Sequence, residues 1–202
     1  MPRIRAANIE EHKELTRAQV LEAAERLFGE FGYEDVALGD VAAAVGIGRT
    51  TLYDYFRDKE DLLATLVEET LPSTIEDLVS RIPDGLSWKQ RLAALSVAMV
   101  DFVATDPTLG LILHREVAKL SIEAQERVGR AHRGLSAEFV TIYRNGVEHG
   151  ELKALPYDLV GRFLQDLIMS AAKALIDSPD PAARRKEVTD ALVAVLLTGM
   201  GT

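Results

Sequence analysis

An all-α fold is predicted for this chain by three observations. Apolar residues recur at helical spacing along almost its whole length, with few alternating stretches. Runs of β-branched residues bounded by turn residues are scarce. The breaks between periodic stretches carry capping residues, Gly and Pro, the punctuation of helix ends. The 202 residues are 48% apolar and 27% charged, a composition that suits a globular protein with a sizeable core. Cys is absent, which excludes disulfides, thiolate metal sites and a cysteine nucleophile.

The elements follow in order. From Thr16, the residues Val20, Ala23, Ala24, Leu27, Phe28 and Phe31 share one helical face, and Gly32 closes the last turn in a left-handed cap. Asp58 to Leu71 repeats the pattern through Leu62, Leu63, Leu66 and Val67, with Asp58 as N-cap and Pro72 as the stop, although a helix running continuously across Pro72–Ser87 also fits. Ser87 and Gln90 form a capping-box pair ahead of Trp88, Leu92, Leu95, Met99 and Phe102, and Asp106-Pro107 ends that helix. Helices over Leu109–Leu120 and Ile122–His149 come next, the second holding an Asn145-Gly146 turn signal near its end. Pro156–Asp177 and Pro181–Met200 complete a fold of about nine helices. No run reaches the roughly 18 apolar residues of a membrane span. The start, Met1-Pro2-Arg3-Ile4-Arg5, lacks the apolar core of a secretory signal. A cytoplasmic protein with no membrane contact is expected.

The chemistry-bearing segment lies between Leu38 and Lys59. Two very short helices, Leu38–Val45 and Arg49–Tyr55, flank Gly46-Ile47-Gly48. Ala42 is small enough for close approach, Gly46 supplies the positive φ of a sharp turn, and Leu52 anchors the second helix, as in a helix-turn-helix whose second helix enters a major groove. At ~100° per residue, Arg49, Thr50 and Tyr53 share the face opposite Leu52, Tyr55 and Phe56. Guanidinium, hydroxyl and phenol are groups that bond phosphates and base edges. Thr51 and Tyr55 complete the candidate DNA-binding set on this helix. Lys59 begins the next helix, where an ammonium and a helix N-terminus can both meet phosphate. Arg17 opens the first helix, within reach of flanking DNA backbone. Arg3 and Arg5 precede that helix as an arm for a minor groove.

These residues resemble a known family. Phe28-Gly29-Glu30-Phe31-Gly32-Tyr33, then Asp40-Val41-Ala42-Ala43-Ala44-Val45-Gly46-Ile47, then Thr51 to Leu63 are similar to the DNA-binding domain of TetR-family transcriptional regulators. The likeness covers about residues 16–63, and the Tyr53, Phe56, Lys59 spacing is its most specific part. It implies a ligand-responsive regulator, most simply a repressor, that binds a near-palindromic double-stranded operator as a homodimer and is released by a small molecule. The implied domains are 1–60 for DNA binding and 61–202 for effector binding and dimerisation. Three departures stand out. Ala37 replaces the usual Ser or Thr cap, Gly39 a position often basic, and Gly48 the usual Ser that starts the recognition helix. Residues 1–59 carry 8 Lys and Arg against 11 Asp and Glu. Modest operator affinity with strong salt dependence is therefore expected.

The larger domain shows no enzyme chemistry. The four His (His12, His114, His132 and His149) lack metal-ligand spacing, and no phosphate loop or nucleophile elbow appears. No catalytic residue, metal or cofactor is expected. Trp88, Phe102 and Phe139 as apolar walls, with His114, Tyr143 and Gln165 as orienting polar groups, are the candidate effector-binding residues. The apolar pairs from Leu159/Val160 to Leu175/Ile176 recur every four residues, and Ala191–Leu197 is apolar at every position. Stripes that wide need more cover than one small domain provides, so two copies are expected to pair through residues 156–200 as a four-helix interface. The competing reading is an all-helical adaptor whose hairpin is purely structural, which the net charge of −9 favours.

Overall fold

A computed structural model gives the backbone of residues 2–105, 110 and 116–202, and side-chain surroundings from residue 9 onward. Eight α-helices stand among the described residues: α1 (Pro2–Phe31), α2 (Leu38–Val45), α3 (Arg49–Leu52), α4 (Lys59–Ser80), α5 (Trp88–Thr105), α6 (Ile122–Glu148), α7 (Tyr157–Ile176) and α8 (Pro181–Met200). A single antiparallel bridge, Leu152 to Gly201, is the only strand-like pairing among them. The all-α expectation holds. Half of the expected Leu109–Leu120 helix falls outside the described residues, and its end is a 3-10 turn at Val117–Lys119.

Compactness divides the chain into two units, at places other than the expected boundary at residue 60. The described residues up to Glu69 and those within 108–130 form one unit; those of 70–107 and 131–202 form the other.

In the first unit, Thr16 is the first buried residue of α1 among those described, and Val20, Ala24 and Phe28 follow it into the core. Helix α1 starts at Pro2, well before Thr16, so Arg3 and Arg5 belong to its first turns and do not precede it. Phe31, expected on the buried face, is 55% exposed, while Leu21 is buried. Gly32 ends the helix with φ +88°, and its N–H donates to the Phe28 carbonyl. The Phe28 and Tyr33 rings then meet edge to face at 5.2 Å. Helix α4 covers this core with Leu62, Leu63, Ala64, Leu66 and Val67, all buried. Asp58 caps it as expected, accepting the Asp61 N–H at 2.8 Å.

Pro72 does not stop α4, which runs on to Ser80. Proline inside a helix costs about 3 kcal/mol. Here Leu71, Ile75 and Leu78 sit at i, i+4 and i+7 and are all buried, and each buried side chain returns about 1.5–3 kcal/mol. The Ser73 and Thr74 hydroxyls both donate to the Thr70 carbonyl beside the break.

In the second unit the expected capping box opens α5: the Ser87 N–H donates to Gln90 Oε1 at 3.0 Å and the Gln90 N–H to Ser87 Oγ at 3.5 Å. The Asn145-Gly146 pair marks no turn. A Cβ at Gly146 would lie 2.5 Å from Leu152 Cδ1 and 3.3 Å from Trp88 Cβ, so glycine serves close packing there. The turn comes at Gly150, with φ +71°. Helices α5, α7 and α8 pack on one another. On α7 the second member of the first four pairs faces this core, as Val160, Leu164, Ile168 and Ala172 are buried. The first members turn outward, with Leu159 41% and Phe163 55% exposed. Helix α8 buries Leu192, Leu196 and Met200 and leaves Val195 53% exposed.

Tyr143 is buried, and its hydroxyl fastens the α6–α7 connection. It donates to the Lys153 carbonyl at 2.7 Å and accepts the Leu155 N–H at 2.8 Å. Tyr143→Phe removes both bonds and is expected to cost about 1–3 kcal/mol, measured as a lower midpoint in thermal or denaturant unfolding.

Candidate nucleic-acid interface

The hairpin is built as its sequence foretells. Gly46 takes φ +76°, its N–H donates to the Ala43 carbonyl, and the Ile47 N–H reaches back to Ala42 at 3.0 Å. These two bonds make a Schellman closure of α2. Ala42 and Leu52 are buried where α2 and α3 meet, with Val41 and Phe56 buried beside them. Ala37 offers no side-chain cap, but Asp40 supplies half of a capping box by accepting the Ala37 N–H at 2.8 Å. Helix α3 is shorter than expected. It is helical over Arg49–Leu52 and continues through Tyr53–Tyr55 as a tightened turn, with Asp54 and Tyr55 N–H groups bonding three residues back.

Arg49, Thr50, Thr51, Tyr53 and Asp54 are exposed together. The Arg49 guanidinium donates to the Tyr53 hydroxyl at 3.3 Å and lies 5.9 Å from the centre of its ring. Tyr55 is half-buried. A Cβ at Gly48 would meet only Thr51 Oγ1 at 3.6 Å, and one at Gly39 would meet nothing within 4 Å. Neither glycine is required by space.

Two cations expected at DNA are already engaged. Lys59 Nζ donates to the carbonyls of Tyr33 (2.7 Å), Val36 (3.0 Å) and Glu34 (3.2 Å), and sits 4.3 Å from the Tyr33 ring centre. An ammonium has three donors, and all three tie the α1–α2 loop to the start of α4. That is a structural role which the sequence did not suggest. Arg17 pairs with Glu69 and lies 5.8 Å from the centre of the Phe56 ring.

A cluster that sequence reasoning missed lies beside the hairpin in the same unit. Arg127 of α6 donates to Asp61 Oδ1 at 2.5 Å, Thr65 Oγ1 at 2.8 Å and Glu68 Oε2 at 2.6 Å. Arg57 donates its N–H to Asp61 at 2.9 Å and its guanidinium to Glu123 at 2.8 Å. Glu60 accepts the Ser121 N–H at 2.9 Å. Asp61, Thr65 and Glu68 fall at i, i+4 and i+7, a polar line on a helix of buried Leu and Val, and that line was the available signal.

The effector candidates other than His114 all belong to the second unit. His114 lies outside the described residues. Tyr143 is buried with its hydroxyl engaged, and Gln165 is exposed on α7. Trp88, Phe102 and Phe139 are half-buried. No metal-binding group of acids and His occurs among the described residues.

Residues 20–66 match the family described as bacterial regulatory proteins, tetR family, and residues 85–173 match the tetracyclin repressor-like C-terminal domain. The chain belongs to the TetR family. Among its relatives is the fatty acid metabolism regulator protein of Bacillus subtilis, 26% identical over 67% of this chain and 70% of that protein. The HTH-type transcriptional regulator AcrR of Shigella flexneri is 27% identical over 90% of this chain and 87% of its own length. In fold, the chain is similar to the FadR regulator of Bacillus subtilis solved with stearoyl-CoA, at TM-score 0.72 and 24% identity, covering 88% of this chain and 97% of that one. This TetR-family chain is a DNA-binding transcriptional regulator.

The Arg127 cluster makes stability depend on pH. Burial pushes the Asp61 carboxyl up, but the Arg57 N–H and the Arg127 guanidinium outweigh it and hold its pKa below the usual carboxylate range. A carboxyl lowered in the folded state adds stability that is full above its unfolded pKa of about 4 and is lost as pH falls through the folded value. Asp61→Asn should therefore unfold more easily at neutral pH and show a shallower loss of stability below about pH 4, as followed by circular dichroism across an acid series.

Proposed function

We propose that this regulator represses from a near-palindromic operator as a homodimer, and that a small molecule bound in the second unit releases it. The observation that carries the DNA half is the exposed face of Arg49, Thr50, Thr51 and Tyr53 on a hairpin locked by Leu52 and Phe56. Arg49 suits a guanine edge, and Thr and Tyr hydroxyls suit phosphates. Tyr55 stands at the border of this face. DNA binding supports a cytoplasmic location, and no described helix is long and apolar enough to cross a membrane.

The dimer half rests on the outward faces of α7 and α8. Leu159, Phe163 and Val195 are large apolar residues exposed on helices whose opposite faces are fully buried. Such a dimer would have to hold its paired recognition helices about 34–36 Å apart, the spacing of successive major grooves.

Retardation of DNA from upstream of its own gene tests the whole reading; failure to retard any such fragment overturns it. Arg49→Ala should relax base preference at one half-site position and cost about 1–3 kcal/mol there. Lys59→Met should instead lower unfolding stability by about 1–3 kcal/mol without changing base preference, as a binding-site selection on both variants would show. Because Leu196 faces the protomer's own core, the dimer is tested at exposed positions. Phe163→Glu with Val195→Glu should leave folded monomers in sedimentation, with operator binding lost.

A further inference from the structure

Packing in the second unit leaves one charged side chain unexplained. Arg91 stands on α5 one turn after Trp88, half-buried, with its guanidinium 5.9 Å from the centre of the Trp88 ring. Its Nε is buried and has no hydrogen-bond partner among the described residues. Arg17, Arg57, Arg127 and Arg185 each face a carboxylate; of the arginines with no ion pair among the described residues, Arg49, Arg133, Arg144 and Arg162 are exposed, and Arg91 is half-buried. Glu151, which shares this end of α5, is taken up by the Lys89 N–H at 3.0 Å. A buried N–H donor without an acceptor is costly, and native structures rarely keep one without a partner.

Its neighbours say what kind of partner fits. The Trp88 ring stands 5.8 Å from that of His149. Along α5, Trp88, Arg91, Ala94, Ala98 and Phe102 recur at helical spacing and stay half-buried, beside a fully buried stripe of Leu92, Leu95, Ser96 and Met99. The two alanines project only a methyl group each, so the middle of the strip is low between the bulkier Trp88 and Phe102. An accessible apolar strip with one unpaired guanidinium near its end is complementary to a molecule with an apolar body and an acidic head. We infer that Arg91 anchors the acidic group of the effector while Trp88, Ala98 and Phe102 take its body. The ligand class is an amphipathic anion, a carboxylate or a phosphate ester.

The word effector rests on the regulatory reading above; the site itself is testable without DNA. Trp88 is the only tryptophan, so its emission reports from the strip. The full chain is titrated with decanoate, decyl phosphate, decanol and decyltrimethylammonium, each below its micelle concentration. One or both of the anions should shift Trp88 emission about ten-fold more tightly than decanol, and the cation should not compete. Which anion wins separates a carboxylate from a phosphate ester. Arg91→Gln should bring the preferred anion down to the affinity of decanol, with the helical spectrum unchanged. Equal affinity of anions and decanol for the unmodified chain, a comparison that needs no variant, overturns the inference. So does an undiminished anion preference in Arg91→Gln. Anion selectivity alongside an operator complex that ignores the anion would sink the regulatory reading and leave the site standing; operator binding with no anion preference would do the reverse.

Discussion

A single turn of helix cannot hold itself up in water, since nucleating it fixes three residues for one hydrogen bond. Helix α3 is four residues long, and everything it presents to DNA depends on being held from outside. Leu52, with no exposed surface, and Phe56, 2% exposed, do that from below. The left-handed closure at Gly46 fixes where α3 begins, and the Lys59 ammonium pins the loop that leads into α2. The polar residues of α3 are free to face outward because its apolar ones are not free to move.

What was legible in the sequence was local. Gly32, Gly46, the Asp58 cap and the Ser87/Gln90 box are determined within four residues, and each is found as its pattern foretold. The alternation of pair members on α7 was legible as a stripe, though not which member faced inward. Readings failed where a distant contact overrode a local signal. Pro72 is carried through by the burial of its neighbours, and Asn145-Gly146 is helical because Leu152 needs the space of a missing Cβ. Lys59 looked like a phosphate ligand on its own helix, but its carbonyl partners lie more than twenty residues away in the chain. Arg127 finds acids about sixty residues earlier, a pairing that no window of sequence displays.

The electrostatics of the first unit follow from these engagements. Its cations are mostly neutralised by the protein itself: Arg17 by Glu69, Arg57 by Glu123, Arg127 by Asp61 and Glu68. Surface pairs of this kind contribute little stability when exposed, but they remove charge that would otherwise add to long-range attraction for DNA. Arg49, bonded to the Tyr53 hydroxyl, keeps its full charge at the recognition face.

The open space at Gly39 and Gly48 bears on how the regulator is tuned. Both positions accept a side chain without backbone strain, so a serine or a basic residue there would add a phosphate contact to a scaffold that needs no adjustment. A repressor that grips its operator less tightly is displaced at a lower occupancy of its ligand. Side chains added at these two glycines would therefore shift that threshold through single codon changes.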